Sequence, residues 1–342
     1  MRKNMQMRIQ GLLCRRFFFT WTAATVLMLS AGDAIGQDKA KSELAKSSAT
    51  APKWATDDES ISLVAGDQLL FRYVFRSGKK PIVHPLVGPR GKTMAREYPM
   101  KPPGEDGTKD HIHQRSMWMT HGEVNDIDFW SEAEGSGTIE HLAVKSSSVD
   151  EKGIGTLVTT ARWVKPDGTV LLDEHKTFRI GVADGERTID MDVTFTAVAD
   201  EVHFGDTKEG SFGIRVPDSM MVDRKLGGKI INAEGLEDGK AWGQKSRWVD
   251  YSGPVDGDTV GITILEHPES FNAPCRWHVR SYGLFAANPF GEFHFTGGKK
   301  TDGHRIGKGD KLRLNYRVVL HDGPADVEAI EKHWKQFVSV GS

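Results

Sequence analysis

Between Asp110 and Trp130 the chain reads DHIHQRSMWMTHGEVNDIDFW, which collects His111, His113, His121, Arg115, Glu123, Asn125, Asp126, Asp128 and two tryptophans in one short window. Imidazoles titrate near neutral pH, carboxylates accept protons and hydroxyl hydrogen bonds, and indole faces suit sugar rings. If the window is a strand, its period of two puts His111, His113 and Arg115 on one face. His121, beyond a bend, can fold back beside them. Two such imidazoles with a third nearby can ligate zinc or copper, or can bind sugar hydroxyls while one of them moves a proton. Plainer readings stand beside these: core histidines, a polar turn at Asn125-Asp126, and Trp118 and Trp130 as core fillers. The functional reading gives proton transfer to His113 and His121. It gives substrate contact to His111, Arg115, Glu123 and Asn125, with Glu123 also a candidate acid or base.

A second constellation runs from His203 to Arg215 (HFGDTKEGSFGIR), with Asp206, Lys208, Glu209 and Arg215 set around three glycines. Glycines let backbone approach a ligand, and a Lys or Arg beside a carboxylate tunes its pKa. Glu209 is the proton-transfer candidate here and Arg215 a substrate contact; the plain alternative is a charged hairpin with a surface ion pair. The third constellation is Glu266-His267-Pro268, then WHVRSYG from Trp277 and NPFG from Asn288. His278 and Arg280 share a strand face, and His267 sits at a strand end, where sites collect on sandwiches. His278 is assigned proton transfer; His267, Arg280 and Asn288 are assigned substrate contact.

The elements that must position these groups are strands. Ile189, Met191, Val193 and Phe195 alternate with Asp190, Asp192, Thr194 and Thr196, and residues 312 to 320 repeat the period. Residues 157–164 and 170–180 flank Lys165-Pro166-Asp167-Gly168, a turn in which Pro presets φ and Gly accepts positive φ. Residues 61–74 read as a hairpin about Ala65-Gly66-Asp67. Only 324–338 reads as helical, with Val327, Ile330, Trp334 and Phe337 on one face. The pattern predicts an all-β chain, a large antiparallel β-sandwich with one C-terminal helix.

Basic residues up to Arg16 precede the apolar run Phe17 to Leu29, and Ala34-Ile35-Gly36 offers a cleavage site, so residues 1–36 read as a signal peptide. Arg15-Arg16 before Phe17-Phe18 resembles a twin-arginine signal with a loose surrounding consensus. Export to the periplasm or medium is expected. Residues 37–60, rich in Lys, Ala, Ser and Asp, read as a disordered linker, and 61–342 as one β-sandwich domain. Only Cys275 would remain after signal removal, as a small buried residue rather than a nucleophile, and no internal disulfide can form. A formal charge of −2 with interspersed signs leaves no nucleic-acid footprint, and no membrane span is expected once the signal is removed.

These segments resemble the PmoA-like family of exported bacterial proteins. The matching pieces are PIVHPLVGPRG at 81–91, HIHQRSMW, HGEVN, DFW, DTKEGSFGIR, WVDYSG at 248–253, HPESF at 267–271, WHVR and ANPFG. Where that family often has histidine and glycine in its HxHHRG motif, this chain has Gln114 and Ser116. No role for that third histidine carries over, whereas His111, His113 and Arg115 do match. The family's label points to a methane monooxygenase subunit, but the membrane subunit of that enzyme needs several spanning helices, and this chain has no segment for them. The layout is also similar to the galactose mutarotase-like supersandwich, through its size and its closing strand KLRLNYRVVLH after a Gly-Lys-Gly-Asp turn. That resemblance implies a concave sheet holding a carbohydrate or glycan fragment, with His and carboxylate groups moving protons. The expectation is an exported carbohydrate-active protein, an epimerase, hydrolase or lyase, without a resident cofactor. Two rivals are a non-catalytic glycan-binding module and a metal-dependent oxidoreductase. The latter requires His111, His113 and one further histidine to meet at a metal ion.

Overall fold

A computed structural model describes residues 50–183 and 185–339. The expected signal segment and residues 37–49 of the expected linker lie outside the described residues. Strands are numbered in chain order. The first eight-stranded sheet runs, in spatial order, β1 (Lys53–Thr56), β2 (Ser60–Ala65), β3 (Gln68–Ser77), β4 (Lys80–Val83), β5 (Met117–His121), β11 (Gly210–Arg215), β16 (Leu284–Asn288) and β15 (Arg276–Val279). The second runs β12 (Lys229–Asn232), β13 (Trp248–Val255), β14 (Asp258–Glu266), β18 (Lys311–Asp322), β9 (Glu186–Ala197), β8 (Val170–Ala183), β7 (Gly155–Val164) and β6 (Thr138–Val149). A small two-stranded ribbon pairs β10 (Glu201–Phe204) with β17 (His304–Gly307). Every paired strand is antiparallel to its neighbour, so the expected all-β sandwich is what forms.

Burial along β7 and β9 alternates strictly, as period-two strands with one packed face must. In the first sheet β5, β11 and β16 are buried at every position, because both of their faces are covered. Met117, Met119, Phe212, Ile214 and Phe285 join the main core, shared with Met191, Val193 and Tyr316 of the second sheet. Their alternate neighbours Trp118, Leu284 and Ala286 point the other way, into a smaller cluster with Trp130 and Met100 from the loops. That outer face carries the candidate site.

Three expectations need correction. The linker ends earlier than residue 60, because Lys53–Thr56 pairs with β2; Trp54 lays its ring edge on Phe71 and donates to the Ser148 carbonyl. A four-residue helix, α1 (Phe293–Thr296), accompanies the C-terminal helix α2 (Val327–Ser339), which packs Ile330 and Phe337 against Trp248, Leu265 and Val319. The histidine window is not a strand until Met117. Left-handed backbone at His111 (φ 46°) and Ser116 (φ 53°) makes residues 111–116 a loop, so His111, His113 and Arg115 do not form a strand row. Among the described residues no helix is long and apolar enough to cross a membrane.

Candidate functional site

Antiparallel register builds the floor of the site. Gly213 of β11 lies opposite Trp118 of β5, and a methyl group on it would come within 2.6 Å of the indole, so only glycine lets the ring lie across the strand. Gly122, just past β5, does the same for Glu209: its N–H donates to the Glu209 carbonyl at 2.6 Å, and a Cβ there would sit 2.8 Å from that of Glu209. On β15, Trp277 and Val279 enter the core, which turns His278 outward.

Above this floor lies a cleft of about 530 Å³, lined by His111, His113, Asp128, Trp130, Glu209, His278, Arg280 and Tyr282. Three segments far apart in sequence therefore meet at one place. His278 is nearly buried, and its Nδ1 lies 2.8 Å from the Lys208 carbonyl. A carbonyl only accepts, so Nδ1 donates, and the neutral ring keeps its lone pair on Nε2. Burial pushes the pKa of this imidazole down to about 4, against the opposing charge of Glu209. His113 is likewise pushed to about 4 by burial, then by the Lys80 charge, while Glu132 and Glu209 act in the opposite sense. Glu209 pairs with Lys208, and Asp128 accepts from the Trp130 and Ser131 amides and the Ser131 hydroxyl. The Trp130 indole N–H is buried and has no acceptor among the described residues.

Tyr282 closes one wall. Its ring stacks on His111 with centroids 5.1 Å apart, and the guanidiniums of Arg215 and Arg280 lie 5.0 and 5.7 Å from it. Beneath, Asp110 receives Arg96 at 2.6 Å, Arg215 at 3.1 Å and the His111 ring at 2.7 Å. Burial alone would raise the Asp110 carboxyl, but Arg215 and its other partners hold it well below the usual carboxylate range. Gln114, where the resembled family often has histidine, accepts from Arg215.

Several expected site residues stand elsewhere. His121 faces the core side of β5: its Nε2 lies 2.8 Å from the Gly205 carbonyl, Phe290 covers its ring, and burial pushes its pKa to about 4. Parity on the strand put it there, since Met117 and Met119 face the same way. Arg115 turns to Glu132 and Ser77, away from the cleft. Glu123 pairs with Lys300 at 2.9 Å. Asn125, in left-handed backbone, accepts from the His203 amide and donates to the Glu201 carbonyl, so the polar-turn reading is the one that fits. Arg215 is fully buried under the cleft. Asn288 holds the turn before α1, accepting from the Phe290 and Gly291 amides, and donates to Thr207 next to Lys208. His267 belongs to a separate depression with Asp190, Asp192 and Arg313 of the second sheet.

Sequence reasoning passed over Asp110, Tyr282 and Lys80. Tyr282 stands in the turn between β15 and β16, where strand parity gives no signal. Lys80, flanked by Lys79 and Pro81, gives no sign that it is buried. Its ammonium pairs with Glu132 and donates to the His113 carbonyl at 2.8 Å, and burial pushes its pKa to about 8 against Glu132. Among the described residues no three His, Cys, Asp or Glu side chains are placed to hold one metal ion. His111 and His113 meet edge to face, 5.7 Å between centroids, and His121 lies across the sheet from them.

The histidines set a pH dependence. His84, His113, His121 and His278 stay neutral in the fold until about pH 4, against an ordinary value of 6.5, in each case chiefly through burial. Between those values the unfolded chain binds more protons, so stability falls as pH drops from 6.5 to 4 and is unaffected by these groups above 6.5. His321 opposes them: burial would lower it, but Asp250 raises it, and its contribution fades as pH rises. Glu266, pushed up to about 7 by burial, also opposes them in the same range, but four histidines outweigh it. The net expectation is a lower urea midpoint at pH 5 than at pH 7; equal midpoints would contradict the neutral assignment.

Comparison with known proteins adds a family. The profile described as "Family of unknown function (DUF6807)" matches residues 60–335. No curated protein matches the chain. Among solved structures, the galactosidase domain of an α-galactosidase–sucrose kinase aligns at 10% identity and TM-score 0.33, over 80% of this chain and 41% of that one. An α-galactosidase from Geobacillus stearothermophilus aligns at 11% identity and TM-score 0.40, again over 80% and 41%. The chain thus spans 41% of the length of either galactosidase. A galactose mutarotase-like protein from Lactobacillus casei aligns at 9% identity and TM-score 0.35, over 79% of this chain and all of that one.

Proposed function

The chain belongs to a family of unknown function (DUF6807), and from the chemistry of its cleft we propose that it binds a carbohydrate there and acts on it by proton transfer. The observation that carries this reading is His278, whose Nδ1 is committed to the Lys208 carbonyl while Glu209 acts on the same ring. The lone pair left on Nε2 can accept a proton, and since burial holds the imidazole pKa at about 4, its strength as a base depends on the opposing charge of Glu209. When it takes a proton from a sugar hydroxyl or carbon, the imidazolium that forms is stabilised by Glu209. His113 lines the same cleft and can serve as a second proton-transfer group. Trp130 and Tyr282 offer the apolar faces that sugar rings stack on. Two imidazoles beside one carboxylate could also hydrogen-bond sugar hydroxyls in a binding module; the His278 tautomer with its lone pair on Nε2 is what favours the catalytic reading. The basic and apolar leader read at residues 1–36 would place this chemistry outside the cytoplasm.

The test is a screen of oligosaccharides for binding and for turnover, with His267→Ala as a control histidine outside the cleft. Turnover of a glycan that survives His267→Ala supports the proposal. Failure of every glycan to bind overturns it.

A further inference from the structure

We infer that the carbohydrate is anionic, carrying a carboxylate or a sulfate ester, and that Arg280 is the residue that reads this group; the inference rests on the carbohydrate reading of the cleft. The argument is an accounting of charge. Lys208 at the rim is matched by Glu209, and Arg215 under the floor by Asp110. Lys80 behind His113 is matched by Glu132. The carboxylate of Asp128 is satisfied by amides and a hydroxyl of its own loop. Arg280 is the exception. Its guanidinium lines the cleft, 5.6 Å from the Trp242 ring and 5.7 Å from Tyr282, yet among the described residues it makes no ion pair and no side-chain hydrogen bond.

A guanidinium held by two aromatic rings keeps its in-plane donors, and their fork matches two oxygens of a carboxylate or a sulfate. Neutral hydroxyls, even a vicinal pair, can occupy these donors but leave the charge uncompensated. Partial burial sharpens this difference, because charges interact more strongly away from bulk water. The position fits as well, since Arg280 lies against Tyr282 and lines the same cleft as His278. The acidic substituent would therefore sit beside the proposed base.

The experiment uses matched ligands on the whole protein by titration calorimetry: a uronate oligosaccharide against its methyl ester, and a sulfated glycan against its desulfated form. The acidic member of at least one pair should bind about 10- to 100-fold tighter, and added salt should weaken that member alone. Whichever pair shows the preference identifies carboxylate or sulfate as the group read. Arg280→Met should abolish the preference, and Arg280→Lys, which keeps charge without the fork, should retain part of it. Circular dichroism on both variants confirms that they fold, and the lysine variant carries the test if the methionine one does not. Equal affinity within both pairs, or a preference that survives Arg280→Met, overturns the anionic assignment and leaves the sugar reading standing. No binding by any member overturns the sugar reading, and this inference with it.

Discussion

Replacing His278 by asparagine should lower turnover of the cleft's substrate by about 10²- to 10⁴-fold, the usual worth of a positioned general base. Asparagine is the informative choice. Its side-chain amide nitrogen takes the place of Nδ1 and can still donate to the Lys208 carbonyl, which His278 reaches at 2.8 Å. The fold and the loop that carries Glu209 are then kept while the Nε2 lone pair is removed. The loss should fall mainly on kcat, since an interaction made in the transition state is the one removed. Unchanged kcat in a folded His278→Asn protein would exclude His278 as the base and shift the role to His113. A rise in KM alone would make His278 a binding group.

Removing the Glu132 carboxylate should destabilise the protein by about 3–5 kcal/mol, the typical consequence of leaving a buried charge without its partner. Lys80 is 1% exposed and the Glu132 side chain 5%, and Arg115 shares the same carboxylate. With Glu132→Ala the buried Lys80 loses its counter-charge beside the partly exposed Arg115, and must either carry an uncompensated charge or give up its proton. Urea unfolding reads the change directly. Replacing Lys80 and Glu132 together by Met and Leu should recover part of the loss, because an apolar pair removes the desolvation penalty of both groups while Arg115 still loses its carboxylate. A Glu132→Ala cost below about 1 kcal/mol, the range of exposed pairs, would mean that the pair is not shielded as described. The same substitution should disturb the cleft, since the Lys80 ammonium also holds the His113 carbonyl.

The sheets were legible because period two is written into β9 and β18, where each second residue is apolar and the register pairs Val193 with Leu314 and Ile189 with Val318. The turn after β7 and the apolar stripe of α2 were legible for the same reason, as local chemistry with a local outcome. The site was legible only as composition. His111, His113, Glu209, His278 and Arg280 do share the cleft, but what each does there depends on backbone that no periodicity reports. Two left-handed residues turned the histidine window into a loop and sent Arg115 to Glu132. His121 lies one step of strand parity from the outer face, and that single step makes it a core residue. Arg215 and Asn288 look like ligand contacts in sequence because polar residues that brace a site and those that touch a ligand are the same residue types. Lys80 had no signal at all, since its burial follows from Glu132, about fifty residues later.

The alternation along β5, β11 and β15 divides labour between folding and chemistry within single strands. Met117, Met119, Phe212, Ile214, Trp277 and Val279 hold the sandwich together, while Trp118, Gly213, Arg215 and His278 between them shape the other side. Inheritance can therefore treat the two faces as separate ledgers of change. The separation is partial: Trp118 and Arg215 on the outer parity are themselves buried, so changes there touch stability as well as ligand choice, whereas Met119, Phe212 and Trp277 answer to packing alone.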